Sequence, residues 1–200
     1  AARDKAFVEI TKMINDAASR PPRDPPPAVH NPFVWRAGIT DGDAFFDREH
    51  ELGMVRDFLG KRQNVQVVGS RRIGKTSLLL HVGRTAAEWP RSIAVAYLDS
   101  LDPRCATLAG WLRRLARQFG WSDAPADLEG LADRVEAMVA TGVHPVVCLD
   151  EVEELISRSS VFSRDFFLAL RSLGQNGLSL ITAGRRPLSE MIDAADTEVS

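Results

Sequence analysis

Nine residues, Gly69-Ser70-Arg71-Arg72-Ile73-Gly74-Lys75-Thr76-Ser77, limit the fold of this chain more than any other segment. Glycine, four residues, glycine, lysine and threonine stand between the apolar run Val65 to Val68 and a stretch of helical periodicity that begins at Lys75. A backbone that turns this tightly from a buried strand into a helix aims its N–H groups inward, and the helix adds the positive end of its dipole. That concavity suits phosphate. Lys75 would reach the β- and γ-phosphates of ATP, and the Thr76 hydroxyl would bind Mg²⁺. Gly69, Arg71, Arg72, Ile73, Gly74 and Ser77 complete the expected nucleotide-binding loop. Arginine supplies most of the positive charge, so a lysine at the one place that needs a compact cation is informative.

A second acidic site follows. Val146-Val147-Cys148-Leu149 reads as a buried strand and ends in Asp150-Glu151. Ligands gather at the carboxyl ends of parallel strands, so both carboxylates should face the phosphates. Asp150 would hold Mg²⁺ through a water, and Glu151 would polarise the water that attacks the γ-phosphate. Glu153 and Glu154 read instead as the acidic first turn of the next helix. Ser179 to Thr182 ends a further strand, where Thr182 could sense the γ-phosphate. Either Arg185 or Arg186 could neutralise transition-state charge, within the chain or across an interface.

Short apolar runs alternate with longer amphipathic stretches, the pattern of a parallel sheet flanked by helices. Strands are predicted at Val65 to Val68, Ile93 to Leu98, Pro145 to Leu149 and Leu178 to Thr182. Helices are predicted over Arg48 to Arg62, Lys75 to Ala87, Leu108 to Phe119, Leu128 to Val139 and Phe162 to Leu173. The expected fold class is α/β, and with the glycine-lysine loop and the Asp150-Glu151 pair it is expected to be a P-loop NTPase three-layer fold of the additional-strand, catalytic-glutamate type.

Residues 1–29 divide from residues 30–200. Phe7, Ile10, Met13, Ile14 and Ala17 recur at helical spacing, and Pro21 to Pro27 favours an extended linker. The leading helix either packs on the core that follows or ends an upstream module. No apolar run approaches the length of a membrane span, which points to a soluble, cytoplasmic chain with no membrane partner. The formal charge of -2 gives no global drive toward nucleic acid. Two cysteines and four scattered histidines suggest neither a disulfide framework nor a zinc site.

Taken together, these residues resemble the STAND class of P-loop ATPases, the signal-transduction ATPases with numerous domains, close to AAA+ and the origin-recognition ATPases. Beyond the two nucleotide motifs, Asn31-Pro32-Phe33 and Phe45-Phe46-Asp47-Arg48-Glu49-His50-Glu51-Leu52 look like that class's leading Phe-Gly-Arg motif. Phe166 to Leu173 and Leu180 to Leu188 are similar to its bacterial AAA-like branch. Asp47 stands where the class usually has glycine. The resemblance implies that Phe45, Phe46 and Arg48 border the base or ribose, although the phenylalanines could equally be core.

It also implies a helical lid and a winged-helix domain outside these residues, with sensor and effector domains or proteins as partners and a nucleotide-dependent homo-oligomer as one assembly. The expected function is an ATP-binding, slowly hydrolysing switch domain, Mg-dependent and cycling between ATP and ADP. The alternative is a DNA-handling ATPase of the origin-recognition kind. That function would need a basic winged helix, so DNA contact through this domain is not expected.

Overall fold

The computed structural model describes residues 48–191; the leading helix, the proline-rich linker, Phe45 and Phe46 lie outside them. Helix α1 (Glu49–Gly60) precedes strand β1 (Val65–Val68), and α2 (Lys75–Thr85) follows the glycine-lysine run. Next come β2 (Ile93–Asp99), α3 (Leu108–Phe119), α4 (Leu128–Ala140) and β3 (His144–Asp150). The short α5 (Glu153–Ser157), α6 (Arg164–Gln175) and β4 (Ser179–Gly184) complete the described chain.

All four strands are parallel, in the order β1-β4-β3-β2. β4 therefore lies between the strand that feeds the phosphate loop and the strand that ends in Asp150. This is the additional strand of the expected P-loop NTPase fold.

The layers follow from strand periodicity, which sends successive side chains to opposite faces. Val65, Val67, Val146, Cys148, Ile181 and Ala183 pack against α1 and α2 through Val55, Leu59, Leu78, Leu79 and Val82. Val147 and Leu149, with Leu98, face α3, α4 and α6 through Trp111, Leu115, Leu131, Phe166 and Leu170. β3 is buried at every position, as a strand covered on both faces must be, and this explains its unbroken apolar run. Thr107 and Asp127 cap α3 and α4 by accepting from Gly110 N at 3.1 Å and Gly130 N at 2.9 Å.

The element boundaries differ from expectation only at their ends. α2 tightens into a 3₁₀ turn at Ala86–Glu88, and α6 starts at Arg164 rather than Phe162. β3 and β4 run on to Asp150 and Gly184, because pairing with β2 and β1 continues beyond the apolar residues. Among the described residues no helix is long and apolar enough to cross a membrane.

Candidate functional site

The phosphate loop leaves the buried end of β1 and is held to the tip of β4 by Gly69 N donating to Gly184 O at 3.2 Å. Within it, Arg72 (φ 66°) and Gly74 (φ 95°) take left-handed backbone conformations on either side of Ile73. Alternating the hand in this way turns successive N–H groups toward one concave side, the geometry of an anion nest. Glycine adopts it freely at position 74, whereas the conformation at Arg72 costs about 1 kcal/mol or more.

Lys75 opens α2 and is buried. Its ammonium donates to Gly69 O at 2.9 Å and Ser70 O at 3.1 Å, so the cation is held within the loop's own curve. Ser77, two residues further into the helix, is also buried, while Arg71 and Arg72 are exposed.

Strand order then brings the acidic strand to the loop. Thr76 Oγ1 donates to Asp150 Oδ2 at 2.7 Å, joining residues 74 positions apart. The other carboxylate oxygen, Oδ1, accepts Glu151 N at 3.0 Å. Glu151 itself stands at φ 49°, a strained setting for a residue with a side chain, where the chain turns out of β3. Burial pushes its carboxyl upward, as do the neighbouring Glu153 and Asp150 carboxylates, while Lys75 and Arg185 act in the opposite direction. Glu151 thus lies in the field of both cations.

Among the described residues no cluster of three or more His, Cys, Asp or Glu side chains could hold a metal ion unaided. Thr76 and Asp150 supply hard oxygen donors at one point. One carboxylate and one hydroxyl suit Mg²⁺, which keeps waters and phosphate oxygens as its remaining ligands. The residues present fit that ion.

Three side chains are placed in ways the sequence did not indicate. Arg48, expected at the base or ribose, donates to Ile73 O at 2.9 Å and pairs with the buried Glu51 carboxylate at 2.9 Å, which ties it to the phosphate loop. Tyr97 on β2 donates to Asp150 Oδ2 at 2.9 Å, and burial and that carboxylate push its phenol far up. Strand parity could have found it: Tyr97 is in register with Cys148 and so shares the face of Asp150 two residues on. Glu153, expected only as a first-turn acid, is in that turn, and its Oε1 also accepts Arg185 N at 3.2 Å.

Thr182 is not brought to the phosphate loop. It is in register with Leu149 and Gln66, which puts it on the sheet face opposite Asp150. There it lines a cavity of about 420 Å³ with Leu149, Val152, Leu170, Arg171 and Leu188. Arg185 stands immediately past β4, beside the loop's attachment point, and Arg186 is exposed.

A parallel sheet ordered β1-β4-β3-β2, with a glycine-lysine loop after the first strand and an acidic tip on the third, defines a P-loop NTPase. The sequence model of the AAA domain family matches residues 58–192, and the chain belongs to that family. Its fold is similar to the Aeropyrum pernix ORC2 protein in ADPNP-ADP complexes, with a TM-score of 0.59 and 21% identity over 78% of this chain and 46% of that one. It is similar to Drosophila ORC bound to DNA, with a TM-score of 0.59 and 15% identity over 74% of this chain and 40% of that one. For Cdc6p from Pyrobaculum aerophilum the TM-score is 0.53, with 16% identity over 84% of this chain and 45% of that one. At these identities the likeness shows the fold, and this chain spans less than half the length of each. No curated protein matches the chain.

Proposed function

We propose that this chain is an ATP-binding, slowly hydrolysing switch module of a larger multidomain ATPase, with residues 30–200 as its nucleotide-binding core. The single observation that carries this proposal is the 2.7 Å bond between Thr76 and Asp150, which joins the loop that would hold phosphates to the carboxylate that would hold Mg²⁺. Lys75 binds the β- and γ-phosphates, Thr76 and Asp150 hold Mg²⁺, and Glu151 orients and activates the attacking water. The bound Mg²⁺ would supply charge neutralisation on the phosphates. Arg185 answers charge on the terminal phosphoryl group.

Two features support slow turnover. Glu151 is held in a strained conformation beside two other carboxylates. The Arg185 side chain is exposed and makes one 3.3 Å contact, to Glu153, so nothing among the described residues fixes it on a transferred phosphoryl group. A neighbouring copy or a further domain then completes the site, and specific activity rises with concentration. ATP turnover measured across protein concentration, with light scattering on the same samples, tests this; full activity in a monomer at every concentration overturns the switch role in favour of a self-sufficient ATPase.

The origin-recognition fold likeness leaves a DNA-handling role as the second reading. Salt-dependent duplex binding by the full-length protein would favour it over signalling.

A further inference from the structure

Arg185 and Glu153 form an asymmetric pair. Glu153 is fixed: its Oε1 accepts the backbone N–H of Arg185 at 3.2 Å, and its Oε2 is buried without a hydrogen-bond partner. A Cβ on Gly184 would come within 2.9 Å of that oxygen and 3.2 Å of Val152, so the carboxylate is packed directly over the β4 tip. The arginine is not fixed. Its side chain is 45% exposed and meets Glu153 with Nε 3.3 Å from Oε1, the oxygen already taken by the backbone, leaving Oε2 without a hydrogen bond. A guanidinium and a carboxylate that were built to stay together would meet through two parallel bonds using both oxygens. Here one oxygen is unused, and an exposed single contact of this kind holds by a factor of about five or less.

The pair is also in the right place to matter. Gly184, the residue before Arg185, accepts the N–H of Gly69 at 3.2 Å, so Arg185 leaves the sheet where the phosphate loop begins. We propose that Glu153 is a counter-ion that competes with the terminal phosphate of ATP for Arg185, so that exchange of this arginine from carboxylate to phosphate distinguishes ATP from ADP. Glu153 is a positioning residue in this scheme: it touches no phosphate and acts through Arg185. When the γ-phosphate is present its larger charge draws the guanidinium away, while the backbone N–H of Arg185 keeps Glu153 where it is. When it is absent, the arginine stays on Glu153. This rests on ATP binding at the phosphate loop.

The test is the ratio of ATP to ADP affinity, measured by calorimetry with Mg²⁺ on the full chain. Glu153→Gln keeps the shape and an acceptor for Arg185 N–H but removes the competing charge. It should tighten ATP about threefold to fivefold and leave ADP within a factor of two. Arg185→Gln should weaken ATP and leave ADP unchanged, and in the double variant the gain from Glu153→Gln should vanish. A purely structural Glu153 would shift both nucleotides together in Glu153→Gln, and that result overturns the inference. Equal ATP affinity in parent and Glu153→Gln also overturns it while leaving the phosphate-loop assignment standing. Failure of the parent chain to bind either nucleotide overturns both. Thermal melting of each variant within a few degrees of the parent shows that the ratios report on folded protein.

Discussion

Tyr97 and Thr76 converge on one oxygen: the phenol donates to Asp150 Oδ2 at 2.9 Å and the threonine hydroxyl at 2.7 Å. With Glu151 N on Oδ1, the carboxylate of Asp150 is fixed from three directions. Hydroxyl donors arranged this way set the orientation of a carboxylate that holds a metal ion, and removing one typically costs tenfold or more in metal affinity. Tyr97→Phe should therefore raise the Mg²⁺ concentration needed for ATP binding by about tenfold, with binding in chelator unchanged. A Mg²⁺ titration matching the parent's would mean that Thr76 alone suffices.

Glu151→Gln should retain ATP and slow single-turnover hydrolysis by about a hundredfold or more, the usual contribution of a placed base. The pH dependence has a definite sign. Burial and two neighbouring carboxylates raise the Glu151 carboxyl, so the working, ionised form is lost at a higher pH than for an ordinary glutamate. A group whose folded value is raised also stabilises the fold less once ionised, and the neutral glutamine should melt higher than the parent at neutral pH, with the difference closing in acid. A variant that hydrolyses at the parental rate moves the base elsewhere.

At the other end of β3, His144 should contribute to acid sensitivity. Its Nε2 is 2.9 Å from Ser179 Oγ, and its Nδ1 is buried without a partner. Burial, with lesser effects from Arg62 and Arg91, lowers its pKa from 6.5 to about 4. The unfolded chain therefore takes up a proton that the folded chain refuses between those values. Stability is complete above pH 6.5 and falls as the pH drops toward 4. Allowing for solvent screening, the loss between pH 7 and pH 5 should be about 1 to 2 kcal/mol. Urea midpoints of parent and His144→Gln should diverge over that interval, the glutamine variant falling less. Parallel curves would place the acid-sensitive group elsewhere.

What was legible in the sequence follows physical lines. Strands and helices could be read because covered parallel strands leave unbroken apolar runs and their helices leave stripes, as in His144–Asp150 and Leu108–Phe119. Lys75, Thr76 and Asp150 were legible because loop chemistry demands those residue types at that spacing. Tyr97 and Glu153 were not, because their partners come from strands and turns that only the order β1-β4-β3-β2 brings together. Thr182 shows the converse failure. A polar residue near a strand end looked like a γ-phosphate sensor, but strand parity aims it at the face opposite Asp150. For Arg48 the motif suggests the base or ribose but carries no sign of its 2.9 Å bond to Ile73 O, because that contact depends on how the loop curls back toward the first helix.

The most direct test is calorimetric titration of ATP with Mg²⁺ into the full chain and into Lys75→Ala. The buried Lys75 ammonium donates to Gly69 O and Ser70 O, so its loss costs some stability, and melting must first show the variant folded at the working temperature. One site per chain in the parent and no measurable binding in the variant is the predicted result, because the phosphates would lose their one fixed ammonium. Equal affinity in the folded variant would contradict the assignment of this loop as the nucleotide site.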